Sequence, residues 1–156
     1  MSRYITIKEE DPNTPNAIQL MDELSDDLES ITGNSGRNSF SASDICGERA
    51  IFVIAYNENG EAVGCGAIRP IDDNTAEVKR MYAKEKGVGI GTKVLSYLEA
   101  KAQELGYTAL RLETRLINQR AVAFYVNRGY YHIPNYGKYV NRPEAVCFEK
   151  RLGKRA

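Results

Sequence analysis

The spacing of apolar positions changes along this chain, and each change marks an element. Tyr4, Ile5 and Ile7 read as a short opening strand. Leu20, Leu24, Leu28 and Ile31 then recur at intervals of four, four and three. That spacing predicts an amphipathic helix, with Thr14 as its cap and Pro15 in its first position. Residues 32–47 are small and polar with no apolar period, and Phe40 and Ile45 are their obvious anchors. They read as a mobile loop, either a plain connection or a lid facing a substrate. From Ala50 the pattern turns to strands at Ile51–Tyr56, Ala62–Ile71 and Thr75–Tyr82, separated by the turn-forming runs Asn57-Glu58-Asn59-Gly60 and Asp72-Asp73-Asn74. Ile90, Val94, Leu98, Ala102 and Leu105 form one helical stripe that Gly106 ends. Ala109–Arg115 reads as a buried strand, Asn118–Arg128 as a helix closed by Gly129, and Ala145–Leu152 as a last strand, with Tyr130–Ile133 a further short one.

A three-strand meander followed by helix, strand, helix and a late hairpin implies an α/β fold, a mixed sheet with helices on both faces. With 156 residues the chain is a single domain over 1–156, able to bury roughly 68–70% of its unfolded surface. Its 21 basic and 21 acidic residues balance, which argues against a nucleic-acid or membrane-surface partner. Cys46, Cys65 and Cys147 lack any C-x-x-C pairing and suggest neither disulfides nor a metal site. No apolar run reaches the ~18 residues of a membrane span, and no signal-like core opens the chain. A cytoplasmic protein is expected.

The most informative stretch is Lys86-Gly87-Val88-Gly89-Ile90-Gly91-Thr92, placed between a strand and a helix. The first N–H groups of a helix have no internal partner and the helix dipole adds positive charge there, so a glycine-rich helix start can cradle phosphate. The dinucleotide register G-x-G-x-x-G fails, because counting from Gly87 ends on Thr92 and counting from Gly89 ends on Val94. The P-loop register fails as well, since Thr92 precedes Lys93 and Val94 follows it. A purely structural turn would also accept these residues. What remains is Lys86-x-x-Gly89-x-Gly91.

This resembles the [Gln/Arg]-x-x-Gly-x-[Gly/Ala] acyl-CoA diphosphate loop of the GNAT N-acetyltransferase superfamily. A second constellation strengthens the likeness. Asn118-x-x-Ala121-x-x-x-Tyr125-x-x-x-Gly129-Tyr130 resembles that superfamily's second acyl-CoA motif, in the right order and about one helix and one strand downstream. The resemblance covers residues 50–132 well, and the tail looks like a branch of small bacterial-type acetyltransferases. Two departures stand out: Lys86 replaces a planar donor by a point charge, and the approach from Ala83 is about two residues short of the family's usual turn.

The resemblance implies the acyl-CoA N-acyltransferase fold, with a mostly antiparallel central sheet, and transfer from acetyl-CoA to a primary amine by direct attack. The acceptor it suggests is a small molecule; protein or peptide acetylation and a non-catalytic acyl-CoA sensor are the alternatives. Cofactor contacts are expected from Met81, Tyr82 and Ala83, from Lys86, Gly87, Val88, Gly89, Ile90, Gly91 and Thr92, and from Asn118 and Tyr125. Tyr125 matches the family's general acid. An ammonium of pKa ~10.4 is neutral only about once in 2,500 at pH 7, so a base is needed. Glu77 is the candidate, on one strand face with Lys79 and Met81, although an ion pair to a nearby cation would occupy it equally well. That base would need a raised pKa or a water relay. Arg37 or Arg69 could hold an acceptor carboxylate, and Tyr136 with Tyr139 could wall its pocket. No metal is implied. Dimers are common among such enzymes, so a homodimer stands beside the monomer as an open expectation.

Overall fold

Alternation within one strand sets the layers of the molecule. In β2 (Ile51–Tyr56) Phe52 and Ile54 point to one face of the sheet, where they join Ala17, Leu20 and Met21 of α1 (Pro15–Thr32). Val53 and Ala55 point to the other and join Ile90, Val94 and Leu98 of α2 (Ile90–Glu104). Two apolar clusters therefore sandwich the sheet, the layering that a strand buried on both sides requires. The computed structural model describes residues 4–35 and 47–153. Most of the expected loop, with Arg37, Phe40, Ile45 and Cys46, lies outside them.

The seven-stranded sheet has the order β1-β2-β3-β4-β5-β7-β6. Besides β2 it contains β1 (Thr6–Glu9), β3 (Ala62–Pro70), β4 (Thr75–Ala83), β5 (Ala109–Arg115), β6 (Tyr131–Ile133) and β7 (Ala145–Arg151). All neighbours are antiparallel except β4 and β5. The expected mixed, mostly antiparallel sheet with helices on both faces is what the chain forms. Helix α1 begins as its sequence requires: Thr14 accepts from the Ala17 N–H, Pro15 opens the helix, and Gly33 closes it at φ 80°. Helix α3 (Gln119–Val126) follows β5 with Asn118 as its cap.

Two local features make the site. The parallel pairing of β4 with β5 covers Thr75↔Ala109, Ala76↔Leu110 and Glu77↔Arg111, and beyond it the two strands carry no pairing. Within β4, Lys79 opposes Ala67 while Tyr82 opposes Cys65, so three steps on β4 match two on β3. This β-bulge holds Arg80 at φ 55°. The bulge also reverses the alternation. Met81 packs with Val78 in the α2-side cluster, whereas Glu77 and Lys79 face Tyr136 and Tyr139. The expected common face for Glu77, Lys79 and Met81 is thus corrected, because one extra residue shifts a period of two by half. Gly66 on β3 makes room for the arrangement: a Cβ there would lie 2.5 Å from Met81 Sδ and 2.8 Å from Val94 Cγ1.

Candidate active site

Where β4 and β5 separate, a cavity of about 800 Å³ opens through the sheet. Its walls come from the C-terminal half of α1, from β4 after the parallel pairing, from the start of α2, and from β5 and α3. Beyond Glu77 the edge of β4 that faces β5 has no ladder partner. Met81, Tyr82 and Ala83 border the cavity along that edge.

The start of α2 is built for an anion. Gly89 caps it in the left-handed region at φ 86° and no side chain caps the helix, so its first-turn N–H groups keep their donors for a ligand. Gly87 takes φ 79°, and a Cβ at Gly87 or Gly89 would meet nothing within 4 Å. These glycines therefore serve backbone conformation, which other residues adopt only with strain. Gly91 differs, since its missing Cβ would stand 3.2 Å from the Phe124 ring. Val88 packs against the core, while Gly87, Gly89, Ile90, Gly91 and Thr92 border the cavity. Lys86 Nζ donates to the Ala83 carbonyl at 2.7 Å and lies 4.9 Å from the Tyr82 ring centre. The lysine thereby closes the short approach from β4 to the loop, and burial lowers its pKa.

Helix α3 supplies the opposite rim. Asn118 accepts from the Ala121 N–H at 3.3 Å and also borders the cavity. Tyr125 is buried, edge-on to Phe124 and Tyr130, and reaches the cavity. Burial pushes its phenol pKa up, so it stays protonated at neutral pH. Arg128 was not among the expected site residues, yet its Nε and Nη2 donate to Thr92 Oγ1 at 2.9 and 2.5 Å and its guanidinium stacks 4.0 Å from the Phe124 ring centre. It brings a fixed positive charge to the first turn of α2. The signal was present in the i, i+4 spacing of Phe124 and Arg128.

The expected base sits elsewhere. Glu77 is 1% exposed, accepts from Arg69 Nε at 2.9 Å and from the Tyr136 hydroxyl at 2.7 Å, and has Lys79 Nζ at 3.9 Å. Burial alone would raise its pKa, but the Lys79 charge and the bonds from Tyr136 and Arg69 outweigh it and hold the carboxyl below its ordinary value. Glu77 does not border the cavity, and neither do Arg69 and Tyr136. The three form a hydrogen-bonded cluster outside that cavity's lining, so the base expected at Glu77 and the acceptor contacts expected from Arg69 and Tyr136 stand apart from the glycine loop and Tyr125.

A different carboxylate lines the cavity. Glu113 on β5 borders the cavity, and its Oε2 is buried without a hydrogen-bond partner among the described residues. The Arg115 Nε lies 3.7 Å away. Burial raises the Glu113 pKa and outweighs the opposing pull of Arg115 and Lys79. In the sequence Glu113 is one charged residue within a strand, and only the end of the β4–β5 pairing at Glu77–Arg111 brings it to a cavity.

Among the described residues no group of three or more His, Cys, Asp and Glu side chains could hold a metal ion, and no helix is long and apolar enough to cross a membrane.

Comparison with known proteins identifies relatives. The model of the acetyltransferase (GNAT) family matches residues 18–130. The IAA acetyltransferase of Azospirillum brasilense is 29% identical over 151 residues, 95% of this chain and 98% of that protein. A Klebsiella pneumoniae structure assigned to the acyl-CoA N-acyltransferases superposes with a TM-score of 0.81 at 30% identity, covering 96% of this chain and 98% of its own. A GNAT family acetyltransferase of Elizabethkingia anophelis, solved with acetyl-CoA bound, gives 0.70 at 20% identity, covering 95% and 98%.

Proposed function

We propose that this chain, which belongs to the acetyltransferase (GNAT) family and draws its acetyl group from acetyl-CoA, passes that group to the primary amine of a small molecule. One observation carries the residue assignment: the uncapped start of α2, the Tyr125 side chain and the Glu113 carboxylate border one cavity. The glycine loop suits the donor, because its open backbone and the nearby Arg128 offer N–H groups and positive charge to a diphosphate. When bound, acetyl-CoA supplies an acetyl thioester already activated for attack.

The chain's own residues then have three tasks. Glu113 takes the proton that the amine nitrogen loses as its bond to the acetyl carbon forms, and its raised pKa makes it a better acceptor than an ordinary glutamate. Backbone N–H groups of Met81 to Ala83, on the stretch of β4 that has no ladder partner in β5, would hold the carbonyl oxygen as negative charge gathers there. As the C–S bond breaks, Tyr125 offers its O–H to the departing sulfur. A phenol with a raised pKa does this as a strong hydrogen-bond donor and gives up its proton late. Asn118 caps α3 and borders the same cavity, where its side chain would meet the thioester arm of bound acetyl-CoA. A cytoplasmic setting suits a chain whose Cys65 and Cys147 are free, buried thiols.

The test joins a binding and a turnover measurement. Acetyl-CoA raises the thermal midpoint, by the equivalent of about 2.7 kcal/mol at a hundred times its dissociation constant, and thiol release depends on an added primary amine. A midpoint that ignores acetyl-CoA, or thiol release that ignores amines, ends the proposal.

A further inference from the structure

The cavity's second face carries a pattern that the donor chemistry does not use. Leu24, Leu28 and Ile31 follow one another along a single face of α1 at intervals of four and three, and all three border the cavity. Leu24 is buried, Leu28 half-buried, and Ile31 is 45% exposed. A large apolar side chain left open to solvent at the rim of a cavity, continuing a buried apolar stripe, marks a surface that an apolar ligand would cover. On β5, Leu110 and Leu112 face the α2-side cluster. Alternation therefore turns Glu113 to the same side of the sheet as α1.

The charges on this side discriminate further. Lys79, Arg80 and Arg115 border the cavity there, against the carboxylates Glu113 and Asp27. Arg115 Nη1 is engaged by Glu144 at 2.9 Å, Lys79 Nζ donates to the Tyr139 hydroxyl at 3.1 Å, and Arg80 Nη2 donates to Ser25 Oγ at 2.7 Å. These cations are fixed in place. One ammonium can pair with the Glu113 carboxylate, which borders the cavity; a further ammonium beside it would meet Lys79, Arg80 and Arg115, which disfavours such a partner even across a partly wet site.

We infer that the acceptor is a primary monoamine on an apolar body, and not a polyamine or an aminoglycoside. The inference rests on the amine acetylation proposed above and names its substrate class. The ammonium is held at Glu113 and the apolar body lies along Leu24, Leu28 and Ile31.

Phenethylamine, spermidine and kanamycin are the probes. Phenethylamine alone raises the thermal midpoint of the protein, spermidine does not, and thiol release from acetyl-CoA gives phenethylamine the highest kcat/KM of the three. Ile31→Asp, at an exposed helix position that folding tolerates, lowers kcat/KM for phenethylamine by about tenfold, the usual size of one apolar pocket contact. Ile31→Leu retains it. A higher kcat/KM for spermidine or kanamycin, or an unchanged value for phenethylamine in Ile31→Asp, overturns the monoamine inference and leaves amine acetylation standing. Acetyl-CoA binding without acetylation of any amine ends both.

Discussion

The two faces of the cavity are made from different materials. On the α2 side the site is chiefly backbone: a left-handed cap at Gly89, uncapped N–H groups, and a strand edge without a partner. On the α1 side it is side chains: an apolar stripe, and the carboxylates of Glu113 and Asp27 among fixed cations. A backbone site suits a ligand part that never varies, as the diphosphate and thioester arm would be under the proposed donor placement. A side-chain site can be re-specified one residue at a time. The difference appears again in two glutamates of adjacent strands. Glu77 is enclosed by Arg69, Tyr136 and Lys79, while the Oε2 of Glu113 has Arg115 at 3.7 Å but no hydrogen-bond donor among the described residues.

The strongest way to break this comparison is to strike the backbone side. Gly89→Val forces a β-branched residue into φ 86°, where the strain is relieved by moving the loop and dissolving the cradle. Acetyl-CoA should no longer raise the thermal midpoint and turnover should vanish. A preserved midpoint shift would show that the α2 start is not where the donor sits. Next in size is the carboxylate pair. Glu113→Gln should lower kcat by about a hundredfold, with the donor-induced shift intact, whereas Glu77→Gln should change kcat far less. Because the Glu113 pKa is raised, kcat/KM of the parent should fall as pH drops through that value, and this limb should be absent in Glu113→Gln. Equal losses in both variants would erase the distinction drawn between them. Tyr125→Phe should cost kcat roughly tenfold to a hundredfold, with little change in donor binding; an unchanged kcat would remove it from the chemistry.

Legibility in the sequence follows the same division. Glycine spacing, the Asn118 cap and the apolar stripe of α2 are local, so the donor side could be read from them, and the element boundaries agree within a residue or two. The acceptor side depends on register, which is not local. A bulge at Arg80 moved Met81 to the other face, and the end of the β4–β5 pairing after Glu77 decided which glutamate borders the cavity. No residue type announces either event. The stripe Leu20, Leu24, Leu28 and Ile31 was visible as a helix face, but its division into a core half and a cavity half depends on where the sheet stops beneath α1.

The smallest effect separates the two glutamates without any assay of activity, through the dependence of stability on pH. Glu77 has a lowered folded-state pKa, so its contribution is present above the unfolded value and is lost as pH falls through the folded one. Glu113 has a raised pKa, so the folded state gains from its protonation: that contribution is present below the unfolded value and is lost as pH rises through the folded one. Removing each charge should therefore move the thermal midpoint in opposite directions at neutral pH. Glu77→Gln should lower it, leaving Arg69 and Lys79 without their counter-charge, and should flatten the acid limb of the stability curve. Glu113→Gln should raise it, since a buried oxygen that no donor satisfies no longer carries charge. Midpoints of the two variants across the acid-to-neutral range measure this directly. Parallel shifts of one sign would mean that Glu113 is as well paired in solution as Glu77, and the contrast between the two carboxylates would be gone.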